Sequence, residues 1–325
     1  MPSENKMITI FMETKNEEQL LKIRSARATV SAGVRLYTDN FRRIFRATWL
    51  PALVCALVSA FATKTIITAM SQIIQIAGIQ ALAYAPSLPQ QYLLQSGLTL
   101  LDAVFSVVLM SYVFSMLASH RVEGAIPYPP RWWSLPDSHC LTRTLASAIV
   151  WFLTQVIVVG IFVAVILLGI KHQSVTLLCL GIVILLIAAL LLLPFVYPHM
   201  RYLTTRDTHF FELLRLGYGQ GMRHWGYIFT VLFVMMLLLT VALTVTMLPA
   251  FILIMANMKS QMGAATGDPL DMPAYMNWVS LVVFTLSGFI QVYVILAIHF
   301  PAYYMAGSIE QQEIQRNETA KDTLH

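Results

Sequence analysis

Six long apolar runs constrain this chain more than any other feature of its sequence. Each run is close to or longer than the ~20 residues that an α-helix needs to cross the hydrocarbon core of a bilayer. Their length and their Leu, Ile, Val, Phe and Met content favour helices over the short alternating strands of a membrane barrel. The predicted spans are 48–70, 93–118, 145–170, 174–198, 225–256 and 277–304.

The composition leads to the same class of protein. Charged residues make up 11% of the chain and hydrophobic residues 58%, whereas soluble domains carry about 25% charged residues. This excludes a soluble enzyme, a disordered chain and a collagen-like chain. We therefore expect an all-α integral membrane bundle of six transmembrane helices.

Details within the runs predict how the helices meet. Only Lys171, His172 and Gln173 separate the third run from the fourth, which indicates a tight helical hairpin. Pro249 is expected to kink the long fifth span, or the end of that span projects beyond the membrane. Small residues at Ala52, Ala56 and Ala60 predict a close-packing face on the first span.

The basic residues orient the bundle. All of the 21 Lys and Arg residues except Lys64, Lys171 and Lys259 fall in the segments on one side of the predicted spans. By the positive-inside rule, both termini are then cytoplasmic. The expected organisation is an N-terminal tail at 1–25, a transmembrane domain at 26–304 and a C-terminal tail at 305–325.

Residues 26–46 are predicted to form a basic amphipathic helix in the headgroup plane. Its apolar stripe at helical spacing is Val30, Val34, Tyr37, Phe41, Ile44 and Phe45. On the opposite face, Arg35, Arg42, Arg43 and Arg46 are candidate contacts for anionic lipid of the inner leaflet. The simpler interpretation, which we favour, is a device for topology and anchoring.

A second interfacial lead-in is predicted at 207–224, with Asp207 or Thr208 as its cap. We assign its three glycines, Gly217, Gly219 and Gly221, to flexibility or close packing, because no nucleotide-loop Lys-Ser/Thr follows them. In both lead-ins an Arg-Leu pair is followed, eight residues after the arginine, by a second arginine. This indicates an internal repeat of helical hairpins, with shared positive-inside composition as the alternative.

The two lead-ins, RLYTDNFRRIFRATWLPAL and FFELLRLGYGQGMRHWGYI, together with the six spans, resemble a loose group of bacterial inner-membrane proteins. This group includes the YciC-like proteins and the membrane domain associated with some glycerophosphodiester phosphodiesterases. The resemblance covers roughly residues 26–304 and implies a multi-pass protein of the bacterial cytoplasmic (inner) membrane. It carries over no catalytic residue, and we expect no attached phosphodiesterase domain in this chain.

Lys64 and Asp102 are the charges most clearly placed within apolar runs. Counted from the inner ends of their spans, both lie about 24–26 Å deep at 1.5 Å per residue. We predict an ion pair between them near the outer leaflet, since intramembrane ionisable residues usually pair or line a polar path. In the alternative, Lys64 extends outward to the interface and Asp102 bonds to a Ser or Thr.

The remaining polar groups give weak evidence for chemistry. His199 and His299 lie near the inner ends of the fourth and sixth spans, where they could form a polar gate or a metal site. An aromatic belt is the better interpretation, because two histidines without a carboxylate make a poor metal site. Asp268 and Asp271 are assigned to a solvated turn rather than a calcium site. The cysteine spacing indicates neither a disulfide framework nor zinc.

Catalytic signatures such as HExxH, G-x-S-x-G and a Walker loop do not occur in the sequence. We expect a non-enzymatic membrane protein, without cofactor or metal, that supports envelope or lipid homeostasis or acts as a scaffold. The alternative is a small-molecule or lipid transporter with a polar path near Lys64 and Asp102. The expected partners are anionic lipids of the inner leaflet and, for a scaffold, a membrane protein, but not nucleic acid.

Overall fold

The computed structural model describes residues 20–77, 88–127, 137–205, 210–265, 273 and 275–322. Throughout these residues the chain forms helices joined by short connections. A single 3₁₀ turn, Leu193–Phe195, also occurs among them. The helices are α1 Ala26–Asp39, α2 Phe41–Ala77, α3 Leu88–Glu123, α4 Ser138–Lys171, α5 Val175–Leu192, α6 Val196–Thr204, α7 Phe210–Arg223, α8 Trp225–Ala265, α9 Met276–Leu296 and α10 His299–Asp322.

Six segments are long and apolar enough to cross a membrane, which confirms the predicted all-α multi-pass bundle. Each contains most of one predicted span and extends beyond it at one or both ends. The segments are Phe41–Ile67, Leu93–Glu123, Ser138–Lys171, Val175–Thr204, Trp225–Ser260 and Met276–Asp322. Continuous helices are expected here because lipid offers no partner for exposed backbone N–H and C=O groups.

The third and fourth spans form the tight hairpin that the sequence predicts. Gln173 turns the chain with a positive φ of 48°, and the Ser174 hydroxyl accepts a hydrogen bond from the Leu177 amide at the start of α5. Gly169 allows close approach, since a Cβ there would lie 2.8 Å from a Leu178 methyl group. Most large side chains of this hairpin are exposed, so lipid would surround it on most sides.

The first span packs through its small residues as predicted. Ala52, Ala56 and Ala60 are 0%, 1% and 2% exposed. Gly288 on α9 faces Ala56, and a Cβ built on it would lie 3.6 Å from the Ala56 Cα atom. Close packing of this kind drives helix association where lipid removes the hydrophobic advantage. The fifth span is part of α8, which continues as one helix through Pro249. The 41 residues of α8 would extend about 60 Å.

The predicted single helix over 26–46 is corrected by the structure. The chain breaks at Asn40, with φ −107° and ψ 9°, where the side-chain amide donates to the Leu36 carbonyl oxygen. The backbone oxygen of Asn40 then accepts from Arg43 and Ile44 at the start of α2. The break lets α1 pack against protein, so its apolar face is not left to the lipid surface.

Helix α1 packs along α10. A Cβ on Gly33 would lie 2.3 Å from the backbone nitrogen of Pro301, so the two backbones touch. The Tyr37 hydroxyl donates to the carbonyl oxygen of Tyr293 at 2.8 Å, and its ring lies 5.0 Å from that of Phe300. Burial raises the pKa of Tyr37 above its ordinary value, which keeps the phenol protonated as a donor.

Residues 305–322, which the sequence assigns to a tail, are part of α10. Side chains from Phe300 to Ile309 are almost all buried, and Glu313 is buried one turn further on. We call the end of the bundle that carries α1, α6, α7 and α10 the basic end. Residues 1–19 and 323–325, together with Asp207, Thr208, Asp268 and Asp271, lie outside the described residues.

Substituting Gly33 tests the contact between α1 and α10. At an unconstrained helix position, Gly→Ala raises the free energy of unfolding by about 1 kcal/mol. At Gly33 the added methyl would meet the Pro301 backbone, and overpacking of this kind lowers the free energy of unfolding by about 1–3 kcal/mol. Gly33→Ala should therefore lower the thermal unfolding midpoint of the full chain in detergent. Gly219→Ala is the matched control, because a Cβ there meets nothing within 4 Å. A Gly33→Ala midpoint at or above that of Gly219→Ala would contradict the packing.

Candidate functional site

Two glutamates on α10, the buried Glu313 and the partly buried Glu310, gather the basic residues at the basic end. Glu310 is 13% exposed, and both of its oxygens accept from Arg121 of α3, at 3.0 and 2.9 Å. Arg201 of α6 lies 3.5 Å from the same carboxylate. A single carboxylate therefore joins three helices by charge-assisted hydrogen bonds, which are stronger than neutral ones.

Glu313 makes the equivalent connection one turn later. Its side chain is 7% exposed and accepts from Arg223 Nη1 and His224 Nε2, each at 2.9 Å. These partners lie at the junction of α7 and α8. The sequence prediction missed both glutamates, although their spacing of three places them on one face of a helix.

The glycines of the second lead-in fit close packing rather than flexibility alone. A Cβ on Gly217 would lie 2.7 Å from Pro198, and one on Gly221 would lie 2.5 Å from the Pro194 carbonyl oxygen. Gly219 faces open space. Helix α7 is thus pressed against the 3₁₀ turn and α6, which brings Arg223 and His224 to Glu313.

The four arginines proposed as lipid contacts are divided by the break at Asn40. Arg35 lies on α1, 83% exposed, with Asp39 at 3.4 Å. Arg42 and Arg46 are exposed in the first turns of α2, whereas Arg43 is half-buried and donates to the Ile126 carbonyl oxygen at 2.6 Å. Contact of these four residues with anionic lipid stays a prediction.

Lys64 and Asp102 lie on neighbouring helices, as predicted, and both have other polar contacts. Asp102 accepts a hydrogen bond from Ser59 at 3.1 Å, and Lys64 Nζ lies 3.5 Å from the carbonyl oxygen of Asn277. These contacts are the kind expected from the alternative interpretation, in which Lys64 extends outward to the interface and Asp102 bonds to a Ser or Thr. The ion pair itself stays a prediction.

The Ser59–Asp102 bond belongs to a polar seam between α2 and α3. Thr65 donates to Gln95 at 2.5 Å on one side of it, and Cys55 and Ser106 lie 4.0 Å apart on the other. Polar side chains in the interior of a membrane bundle are commonly satisfied across helices in this way.

His199 of α6 and His299 of α10 both line the wall of one cavity. Phe114 of α3 contacts both imidazoles edge-on, with ring centroids 6.2 and 5.5 Å apart. His199 Nδ1 lies 2.7 Å from the Ser147 hydroxyl, and His299 Nδ1 lies 3.3 Å from the Leu296 carbonyl oxygen. Among the described residues, no group of three or more metal-ligating side chains occurs.

The cavity beside these histidines has a volume of about 520 Å³, within the usual range for ligand sites. Helices α3, α4, α6, α8 and α10 and the 3₁₀ turn all contribute to its wall. Its polar residues are Ser106, Thr144, His199 and His299, and none of its described lining residues is an Asp, Glu, Lys or Arg. The other walls are apolar side chains such as Phe114, Trp151 and Phe195.

A second cavity of about 670 Å³ continues the first between α3 and α4. The two share Ala103, Val107 and Ala148 in their walls. Leu100 and Phe152, which line the second cavity, are 68% and 66% exposed, so this part opens sideways. We call the two cavities together the lateral groove. From Phe114 to Gln95 it follows about 28 Å of α3.

The groove is suited to holding an apolar chain. Its length is close to the ~30 Å of a bilayer's hydrocarbon core, and its side opening faces the region that lipid would occupy. Comparison with family models, with curated proteins and with solved structures gives no match. The fold and the groove therefore carry the functional argument, and the resemblance to YciC-like proteins stays a prediction.

Charge exchange tests the predicted Lys64–Asp102 ion pair. If the pair forms, Lys64→Asp and Asp102→Lys should each reduce the folded yield, and the double variant should restore it. If Ser59 is the partner that matters for Asp102, Ser59→Ala should reproduce part of the Asp102→Ala loss. A double variant no better than either single variant would show that the pair is wrong.

Neutralising Glu313 tests the connection at the basic end. Glu313→Gln should lower the free energy of unfolding by about 1–3 kcal/mol. This value lies between those of exposed and buried ion pairs, because Arg223 is half-exposed. The measurement is the thermal midpoint of the full chain in detergent. Glu318→Gln is the control on the same helix, because Glu318 is exposed; equal midpoints for the two variants would refute the role of Glu313.

Proposed function

We propose that this chain is a non-enzymatic, multi-pass protein of the bacterial inner membrane that binds membrane lipid and serves envelope lipid homeostasis. The observation that carries the proposal is the lateral groove, which is apolar, of bilayer length and open to the side. A lipid could enter such a groove from the membrane without its acyl chains crossing water. Transfer of apolar chains through water would cost about 0.8 kcal/mol per CH₂ group.

The orientation of the proposed protein follows from its charges. With both termini cytoplasmic, Arg35, Arg42 and Arg46 would face the anionic inner leaflet. Each cation near that surface contributes about 1 kcal/mol of attraction. In this orientation the histidine end of the groove lies toward the inner leaflet and the Gln95 end toward the outer one.

Binding is favoured over catalysis by the placement of Ser147. Its hydrogen bond with His199 resembles a nucleophile–base pair, but Ser147 is 1% exposed and does not line the cavity. A substrate carbonyl would have no access to its oxygen, so the pair lacks the nucleophile that a hydrolase needs at its cavity.

Transport of a small molecule or lipid along Lys64 and Asp102 is the second candidate. The polar seam between α2 and α3 favours it, because ionisable residues within a membrane often mark a path. The seam consists of side chains that bond to each other, and neither Lys64 nor Asp102 lines the groove cavities described above. Lipid binding in the groove is therefore the better supported function.

Filling the groove where its two cavities meet tests the proposal. Ala148 lines both cavities, so Ala148→Trp should place an indole in the path of the chain. We expect roughly a tenfold or greater loss of lipid affinity, which corresponds to about 1.4 kcal/mol. The measurement is the lipid retained by the purified full chain in mild detergent, determined by native mass spectrometry.

The matched control is Ala146→Trp, two residues earlier on α4 at an exposed position outside the groove. It should retain as much lipid as the unsubstituted chain. Equal lipid retention by the two variants, with both still folded, would refute binding in the groove.

A further inference from the structure

The chemistry of the histidine end of the groove narrows the class of lipid that fits it. The Leu296 carbonyl oxygen can only accept a hydrogen bond, so the Nδ1 atom of His299 that contacts it must carry the proton. In a neutral imidazole the other nitrogen, Nε2, is then an acceptor. The hydrogen bonds of both imidazoles involve Nδ1, and no described protein group bonds either Nε2 atom.

His199 can supply the hydrogen-bond donor that complements the acceptor nitrogen of His299. The Ser147 hydroxyl at its Nδ1 atom can either donate or accept. When Ser147 donates, Nδ1 accepts and the Nε2 atom of His199 carries a proton. The cavity can thus present one acceptor nitrogen and one N–H donor within a single apolar wall.

Charge complementarity excludes the common anionic headgroups. None of the described lining residues of the first cavity is charged, and burial of an uncompensated phosphate in an apolar site is strongly unfavourable. The Arg121 and Arg201 guanidinium groups are held by Glu310, and that of Arg143 lies over the Tyr202 ring. A neutral polar group that both donates and accepts is the chemistry that fits.

We propose that His199 and His299 bind the hydroxyl group of a neutral lipid alcohol, of the diacylglycerol type, whose chains lie in the lateral groove. The hydroxyl donates to His299 Nε2, and its oxygen accepts from His199 Nε2–H. Phe114, in contact with both rings, holds them at the end of the groove. This inference rests on the proposed function, because it needs the chains to occupy the groove.

The experiment compares two lipids that differ only at the hydroxyl. Dioleoylglycerol and its acetyl ester carry the same chains, but the ester has no donor. The full chain in nanodiscs should bind dioleoylglycerol about tenfold more tightly than the ester, which corresponds to about 1.4 kcal/mol, because the ester leaves the buried acceptor Nε2 of His299 without a donor. Dioleoyl phosphatidic acid should bind more weakly than the alcohol.

Substitution of His299 tests whether this residue causes the preference for the alcohol over the ester. His299→Phe should bind the alcohol and the ester equally, whereas His299→Gln, which keeps an acceptor oxygen, should retain part of the preference. The comparison of the two lipids on the unsubstituted chain needs no variant, so it decides the question even where His299→Phe does not fold.

The outcomes separate this inference from the proposed function. Equal binding of the alcohol and the ester, with both lost in Ala148→Trp, overturns the hydroxyl site and leaves lipid binding standing. Tighter binding of phosphatidic acid than of the alcohol also overturns it. No binding of any of the three lipids refutes both proposals.

Discussion

Two glutamates on α10, Glu310 and Glu313, hold the basic end of the bundle together. Each is largely withdrawn from solvent and satisfied by cations from other helices, Arg121 and Arg201 in one case and Arg223 and His224 in the other. Removal of one partner leaves the other charge uncompensated where solvent has limited access, which destabilises the fold. The placement of α3, α6 and α7 around α10 depends on these contacts, and with it the position of His199 and His299.

The groove follows from this arrangement. Helices α6 and α10 carry the two histidines, and the ion pairs fix both helices relative to α3, on which Phe114 lies. The α4–α5 hairpin packs closely on itself through Gly169 and Gly181 and leaves most of its large side chains exposed. The resulting space between α3 and α4 is apolar along most of its length, with the two histidines at one end and Gln95, Ser96 and Thr99 at the other.

The sequence predicts the six spans and the packing of Ala52, Ala56 and Ala60, because apolar length and small-residue spacing are local signals. It does not predict the break at Asn40 or the buried half of α10. The conformation of these two segments depends on tertiary contacts. Gly33 packs against Pro301, and Glu310 pairs with arginines far away in the chain. His199 and His299 are visible in the sequence as unusual residues, but their meeting at one cavity depends on the fold of three separate segments.

Lipid occupancy of the lateral groove is the central claim, and photocrosslinking in the native membrane tests it most directly. A small diazirine amino acid, close in size to leucine, at Val107, which lines both cavities, should capture one restricted class of lipid. The same group at Ile157, 62% exposed on α4, should capture lipids in proportion to the bulk membrane. Identical lipid adducts at the two positions, or adducts at Val107 with protein alone, would contradict the account.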